Sequence, residues 1–308
     1  MSDSEGSTIL LSPGSVADDL VNTNEDDVFA WLRPHCDTAC AAFNASVNSA
    51  LKNRDKYEHI RQFLHVTERD KRARSPYTET DTEPENTPLQ WSGGFKLSLK
   101  APPRDPAKGW YLGTNRGRQS QEVDILLAPP TKDWASKRIA GKHARLFLHE
   151  QSCRIMLEAR HAVTMTKNGA AVITQLNSRV IEDNELIVIG ECSYIFQYAE
   201  SYSTPAFEQD LVRFMKEQSG PQWSLNKLLS PASIGVPISI GSYCCSPSAF
   251  AQGTYGKISA GWTHEGRPVA IKVFKNPRET EVIGHKQIME HIGYHVRKPQ
   301  SHIPCVTE

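Results

Sequence analysis

Short apolar runs separated by polar turns dominate the chain from Trp91 to about Tyr198. These runs are WYLG, VDILLA, ARLFLH, CRIMLEA, AAVITQL and ELIVIG. Runs of this length, rich in Val, Ile, Leu and Tyr, are typical of strands. Between two of them, Asn168-Gly169 favours a tight hairpin turn, because both residues tolerate positive φ. Several strands at regular spacing without intervening helices predict a β-sandwich or barrel over residues 89–200.

The N-terminal part of the chain has a weaker pattern. A helix is expected within residues 24–65, where the apolar positions are loosely spaced: Leu51, Tyr57, Ile60 and Phe63. The segment RDKRARSPYTETDTEPENTPLQ follows, and its charge, Thr and Pro content cannot bury enough surface to offset chain entropy. We therefore expect residues 1–88 to be a largely disordered N-terminal region and linker.

A second helical pattern follows the strand-rich stretch. In PAFEQDLVRFMKE the apolar residues recur at helical spacing, and Ser219-Gly220-Pro221 ends the pattern. This indicates a linker helix within residues 201–221 that packs against a neighbour. Its apolar positions are Phe207, Leu211, Phe214 and Met215.

Composition narrows the classes of partner. The chain has 308 residues, with 35 basic and 35 acidic side chains and a formal net charge of zero, so bulk basicity does not favour a nucleic-acid partner. No run of about 18 apolar residues occurs, so we expect no membrane span. The seven cysteines lack paired spacing. This indicates reduced thiols inside the cell.

The order of features over residues 91–200 resembles that of a forkhead-associated (FHA) domain, a sandwich that reads phosphothreonine through loops at one end. The matching positions are Gly113, Asp124-Ile125-Leu126, Ile139 to His143, Asn168-Gly169 and the closing run ELIVIGECSYIFQY. The resemblance implies structural roles for Gly113, His143 and Gly169. It implies phosphate contact by Asn168, with the partner being a phosphothreonine-containing protein.

Two positions depart from the family pattern. Thr114 stands where an arginine is expected, and Ala140 stands where a serine is expected. A phosphate needs charge-assisted donors, ideally an arginine fork with hydroxyl and amide groups. Nearby loop positions offer replacement charge: Arg116, Arg118, Lys142 and Lys167. Two interpretations stay open, a phosphothreonine-reading module or a sandwich that now serves as a spacer or another contact surface.

Residues 250–277 combine a glycine-rich turn, a short hairpin and the tetrapeptide Val-Ala-Ile-Lys, which resembles the first three strands of a protein kinase small lobe. Glycine in such a turn lets the backbone lie over phosphates without a Cβ clash. Ala251 replaces the first glycine of the family pattern. The resemblance implies an ATP site formed by Gly253, Gly256, Ile258, Ala270 and Lys272.

The segment PRETEVIGHKQIMEHIGYH is expected to be the regulatory helix of that lobe. In the family a glutamate of this helix pairs with the lysine, but the expected position holds His285. Glu281 lies one turn earlier on the same face. Either Glu281 is the ion-pair partner of Lys272, or the pair is absent.

The catalytic parts of a kinase do not follow. The sequence lacks the His-Arg-Asp loop, the Asp-Phe-Gly motif and the Ala-Pro-Glu motif. Without them nothing holds magnesium or positions the acceptor hydroxyl, so we expect no catalytic residue here and Mg²⁺ only in a full kinase domain. Residues 222–308 are expected to be a partial, partly ordered small lobe. The polar ending fits a genuine truncation or an intron read as coding.

The combined order resembles an FHA-linked serine/threonine protein kinase of the checkpoint type. The expected fold class is mainly β, an FHA-like β-sandwich followed by a partial kinase N-lobe. We favour a phosphorylation-dependent signalling protein with a phosphopeptide-binding or scaffolding module and a vestigial ATP site. The alternatives are the N-terminal portion of an active ATP-dependent serine/threonine kinase and the product of a broken reading frame.

Overall fold

A computed structural model describes residues 25–68, 91–115, 122–135, 137–167, 170–174, 177–234, 237–254, 256–274 and 305–307. The chain is mainly β, as the sequence predicts, and most strand pairs are antiparallel. The described strands form sheets of seven, five and five strands. No helix in these ranges is long and apolar enough to cross a membrane.

The strands are numbered in chain order. They are β1 (Val28–Pro34), β2 (Leu64–Glu68), β3 (Trp91–Ser98), β4 (Trp110–Gly113), β5 (Ile125–Leu126), β6 (Ala144–Leu148), β7 (Ile155–Ala159), β8 (Val163–Lys167), β9 (Ala170–Thr174), β10 (Ser178–Val180), β11 (Glu185–Ile189), β12 (Cys192–Tyr198), β13 (Ile238–Ile240), β14 (Tyr243–Gly253), β15 (Gly256–Thr263), β16 (Pro268–Phe274) and β17 (Cys305–Thr307). The α-helices are α1 (Asp37–Lys52), α2 (Glu58–Arg61), α3 (Lys132–Ala135), α4 (Pro205–Ser219) and α5 (Pro231–Ile234). Short 3-10 helices span Glu25–Asp27, Glu200–Ser203 and Lys227–Leu229.

The first two sheets form a sandwich. Their strand orders are β2-β3-β1-β12-β11-β8-β9 and β10-β7-β6-β4-β5. Strand β11 buries alternate residues, as expected when one face of a sheet covers a core. Strand β4 is buried throughout. The aromatic centre of the sandwich includes the fully buried side chains of Trp110, Tyr194, Phe95 and Phe196.

Residues 25–68 were expected to belong to a largely disordered region, but the structure gives them a central place in the sandwich. Strand β1 lies between β12 and β3, with Leu32 paired with Phe196 on one side and Phe95 on the other. Helix α1 packs against this sheet, and the ring of Phe43 lies 5.2 Å from that of Phe95. These partners are far away in sequence, so their burial is not visible in the local pattern.

Helix α4 has the predicted apolar face and the predicted end. The side chain of Thr204 caps its start by accepting a hydrogen bond from the Phe207 amide at 3.2 Å. Gly220 follows its last residue with a φ of 95°. The ring of Phe214 stacks on Trp110 in the sandwich core, with centroids 6.2 Å apart. The predicted linker helix therefore contributes apolar side chains to the core of the sandwich.

The third sheet, in the order β13-β14-β15-β16-β17, packs against the sandwich. A small apolar cluster joins them, with Met156 and Val180 from the sandwich and Ala260 and Trp262 from the sheet. The amide of Val180 also donates to the carbonyl oxygen of His264 at 2.8 Å. The third sheet thus shares an apolar interface with the sandwich.

Candidate functional site

Two loops pack side by side at one end of the sandwich. Strand β4 ends at Gly113, where an added Cβ atom would lie 1.9 Å from the carbonyl oxygen of Gly141. The amide of Thr114 then donates to the carbonyl oxygens of Ala140 and Gly141, both at 3.1 Å. Only glycine fits at position 113, because any side chain would push the two loops apart.

Thr114, which replaces the expected arginine, faces inward. It is fully buried, and its hydroxyl donates to the carbonyl oxygen of Ala140 at 3.3 Å. The hydroxyl stabilises the contact between the two loops and does not face the surface where a ligand would bind.

His143 holds the second loop in shape. Its Nδ1 accepts from the Ala140 amide at 3.0 Å, and its Nε2 lies 3.0 Å from the Ala162 carbonyl oxygen. This arrangement needs a neutral ring with the proton on Nε2. The side chain is buried, and burial lowers the pKa of His143, so the neutral form is favoured. The ring bridges two loops and makes no contribution to the surface.

A third loop, residues 160–162, joins the other two through His143. The amides of Arg160 and His161 both donate to the His143 carbonyl oxygen at 3.0 Å. This loop crosses from β7 to β8, and β8 begins beside it at Val163 and ends at Lys167. The loop was missed in the sequence. Its signal was a basic dipeptide between two apolar strands.

The exposed face of this loop end is basic. The Nζ atom of Lys142 lies 4.3 Å from the centre of the Tyr111 ring, and the Arg160 guanidinium carbon lies 4.9 Å from it. Arg160 also donates to the Tyr111 hydroxyl at 3.1 Å. Burial, and then the charge of Arg160, lower the pKa of Lys142. We call Tyr111, Lys142, Arg160 and His161 the basic loop cluster.

Three of the predicted phosphate contacts, Arg116, Arg118 and Asn168, lie outside the described residues, as does Gly169, which was predicted to have a structural role. Of the predicted phosphopeptide-binding set, Lys142 is the described member, and the structure adds Arg160 beside it.

The predicted ATP-site residues lie on one face of the third sheet. Ile258 pairs with Lys272, and Ala260 pairs with Ala270. Directly paired residues of antiparallel strands point to the same face, and alternate residues of one strand do so too. Gly253 pairs with Gly256 at the turn end of the same face. We call this surface, with Ile258, Ala270 and Lys272, the lysine face.

The two predicted turn glycines differ in their surroundings. A Cβ atom on Gly256 would lie 2.2 Å from the carbonyl oxygen of Val273, whereas one on Gly253 would meet nothing within 4 Å. Gly256 is therefore required by the sheet itself, and Gly253 is open to solvent. Lys272 extends over the ring of Phe274, with Nζ 4.7 Å from the ring centre. Glu281 lies outside the described residues.

No family model matches this chain, and no curated protein matches its sequence. A solved structure, Rad53 1-466 in complex with AMP-PNP, is similar at 14% sequence identity with a TM-score of 0.31. The match covers 58% of this chain and 38% of that one. The chain thus matches well under half the length of this neighbour.

Proposed function

We propose that the basic loop cluster binds a phosphorylated peptide, and that the chain acts in phosphorylation-dependent signalling as a binding or scaffolding protein. The observation that carries this proposal is the convergence of Lys142 and Arg160 on the ring of Tyr111. The FHA resemblance of the loops favours phosphothreonine as the ligand residue. The sandwich that presents the cluster is built from the described strands β1 to β12.

Electrostatics favour an anion at this position. Two cations held around one ring repel each other, and the phosphate dianion removes that repulsion while accepting hydrogen bonds from both. The arginine fork offers paired N–H donors with the geometry of a phosphate, and the lysine adds a point charge. Together they replace the donors that Thr114 and Ala140 do not supply.

Fluorescence anisotropy with a labelled phosphothreonine peptide library tests the proposal. We expect the full chain to bind phosphorylated peptides at least tenfold more tightly than unphosphorylated ones, a difference of about 1.4 kcal/mol in binding free energy. Lys142→Gln or Arg160→Gln should remove most of that preference. Lys216→Gln, an exposed basic position on α4, is the matched control. Equal affinity for phosphorylated and unphosphorylated peptides, or equal loss in the control, contradicts the proposal.

A second candidate function is nucleotide binding on the lysine face. It is supported by the shared face of Ile258, Ala270 and Lys272 and by the open backbone at Gly253. ATP is the proposed ligand, without phosphoryl transfer by this chain alone. Mg²⁺ and catalysis enter only if this chain is the N-terminal portion of a complete serine/threonine kinase.

The proposed site of action is the interior of the cell, in the nucleus or the cytoplasm. Its support is that six cysteines in the described ranges are not disulfide-bonded: Cys36, Cys40, Cys153, Cys192, Cys244 and Cys245.

A further inference from the structure

We propose that Glu182, Cys244 and His264 form a binding site for Zn²⁺ or a similar divalent transition metal at the junction between the sandwich and the third sheet. One ligand atom from each side chain lies within 4.8 Å of the others. The three residues come from separate parts of the chain. The proposal does not depend on the proposed phosphopeptide or nucleotide binding.

The fold brings the three residues together through backbone pairing. Val180 at the end of β10 donates its amide to the carbonyl oxygen of His264. Glu182 follows Val180 by two residues. Cys244 on β14 pairs with Trp262 on β15, two residues before His264. The sandwich therefore supplies the carboxylate, and the third sheet supplies the thiol and the imidazole.

The separations fit a tetrahedral ion after small side-chain rotations. Cys244 Sγ lies 3.0 Å from Glu182 Oε1, joined in the metal-free chain by a hydrogen bond from the thiol. Around zinc, with bonds of about 2.0–2.3 Å, neighbouring ligand atoms lie about 3.5 Å apart. The thiol and carboxylate must separate slightly to admit the ion, and the imidazole nitrogen, within 4.8 Å of both, completes the three ligands. A water molecule takes the fourth position, as in other three-ligand zinc sites.

The ligand chemistry selects the metal. A thiolate and a carboxylate carry two negative charges, which balance a divalent ion, and the imidazole binds as a neutral ligand. Thiolate and imidazole favour zinc and cobalt over magnesium and calcium, which prefer oxygen ligands alone. A hydrogen bond between thiol and carboxylate would be enough to account for the closeness of Cys244 and Glu182. It does not account for the third group, and the approach of His264 gives the site three metal ligands.

The surroundings favour tight binding. Cys244 is 1% exposed, and it belongs to the apolar cluster with Met156, Val180 and Trp262. Charges attract more strongly in such surroundings than in water. Because the ligands come from both sides of the interface, a bound metal fastens the sandwich to the third sheet. It stabilises their packed arrangement against separation.

Cobalt spectroscopy on the full chain tests the site. The chain is stripped with a chelator and titrated with Co²⁺ under reducing conditions, and Zn²⁺ then displaces the cobalt. We expect one ion per chain and a thiolate-to-cobalt charge-transfer band. Cys244→Ser abolishes the band, and His264→Gln and Glu182→Gln weaken metal affinity at least tenfold. Cys245→Ser is the matched control, because the adjacent residue lies on the opposite face of β14 in a separate cluster.

Two results overturn the proposal. One is the absence of a charge-transfer band in the wild-type chain. The other is a band that persists in Cys244→Ser, which places the metal at another thiol. If Cys244→Ser does not fold, the wild-type chain still decides the matter through alkylation read by peptide mass spectrometry. Zn²⁺ must slow the alkylation of Cys244 more than that of Cys245, and equal slowing of the two contradicts the site.

Discussion

The guanidinium group of Arg154 lies over the indole ring of Trp262, with its central carbon 4.2 Å from the ring centre. Arg154 belongs to the sandwich, just before β7, and Trp262 belongs to β15 of the third sheet. The same guanidinium donates to the hydroxyl of Tyr202 at 3.2 Å and to the carbonyl oxygen of Leu229 at 3.0 Å. One buried cation thus joins the sandwich, the segment after β12 and the third sheet.

Replacing Arg154 with alanine is expected to destabilise the interface strongly. A desolvated cation–π contact contributes about 2 kcal/mol, and each hydrogen bond from a charged group contributes about 1.5–3 kcal/mol. Because these terms are not additive, we expect a loss of about 3 kcal/mol in the free energy of unfolding. Urea denaturation followed by tryptophan fluorescence measures it.

Arg213→Ala is the control for that experiment. Arg213 forms an exposed ion pair with Asp210 one turn away on α4, and such pairs contribute at most about 1 kcal/mol. Similar losses for Arg154→Ala and Arg213→Ala would show that the interface does not depend on the buried cation.

Asp124 is expected to be a second point of high sensitivity. Its buried carboxylate accepts from the amide of Tyr111 at 2.8 Å, from the amide of Arg104 at 2.9 Å and from His59 at 2.7 Å. Asp124→Ala leaves these donors without their acceptor, so we expect a loss of about 3–5 kcal/mol by chemical denaturation. Glu191→Ala, which breaks an exposed pair with Lys137, should cost about 1 kcal/mol or less.

The stability of the chain should fall on mild acidification, in part through His143. Burial lowers the pKa of this ring below its ordinary value of 6.5. The unfolded chain therefore takes up a proton at a higher pH than the folded chain does. The stabilising contribution of neutral His143 is fully present above about pH 6.5 and is lost as pH falls towards the folded pKa. Burial acts in the same direction on the pKa values of His65 and His149.

Unfolding curves at about pH 7.5 and about pH 5.5 measure this slope, and His143→Gln isolates the contribution of one residue. The variant should be less stable at the higher pH and should show a shallower pH dependence. Gln151→Ala, at an exposed turn position without a titratable side chain, is the control and should keep the wild-type slope. An unchanged slope in His143→Gln contradicts the assignment.

The parts of the fold that the sequence predicts are those set by local pattern. The strands over residues 91–198 and the apolar face of α4 follow from alternation and helical spacing, which each segment carries in itself. Strand β1 was missed because the strands that pair with it, β3 and β12, lie more than 55 residues away along the chain. The link between His59 and Asp124 was hidden for the same reason.

The candidate site was predictable only in part. Gly113 is required because a side chain would clash with the next loop, and His143 is required because its ring hydrogen-bonds two loops. Both positions could therefore be found from the order of motifs in the sequence. Arg160 was not found in the sequence. It directly follows β7, and only the folded chain brings that end of the strand beside Tyr111. No spacing rule in one sequence reports that approach between separate strands.

The two turn glycines, Gly253 and Gly256, give the sharpest test of the lysine face. Gly256→Ala should destabilise the third sheet by about 2 kcal/mol or more, because the added methyl group would lie 2.2 Å from the Val273 carbonyl oxygen. Gly253→Ala should leave stability within about 1 kcal/mol of the wild type, since no atom lies near its Cβ position.

If phosphates lie against the backbone at Gly253, the same harmless methyl group should weaken ATP binding severalfold. Isothermal titration with ATP and thermal unfolding of both variants separate the two effects. Unchanged ATP affinity in a fully stable Gly253→Ala chain would remove this turn from the nucleotide site, and Lys272→Met would then show whether the rest of the face binds nucleotide at all.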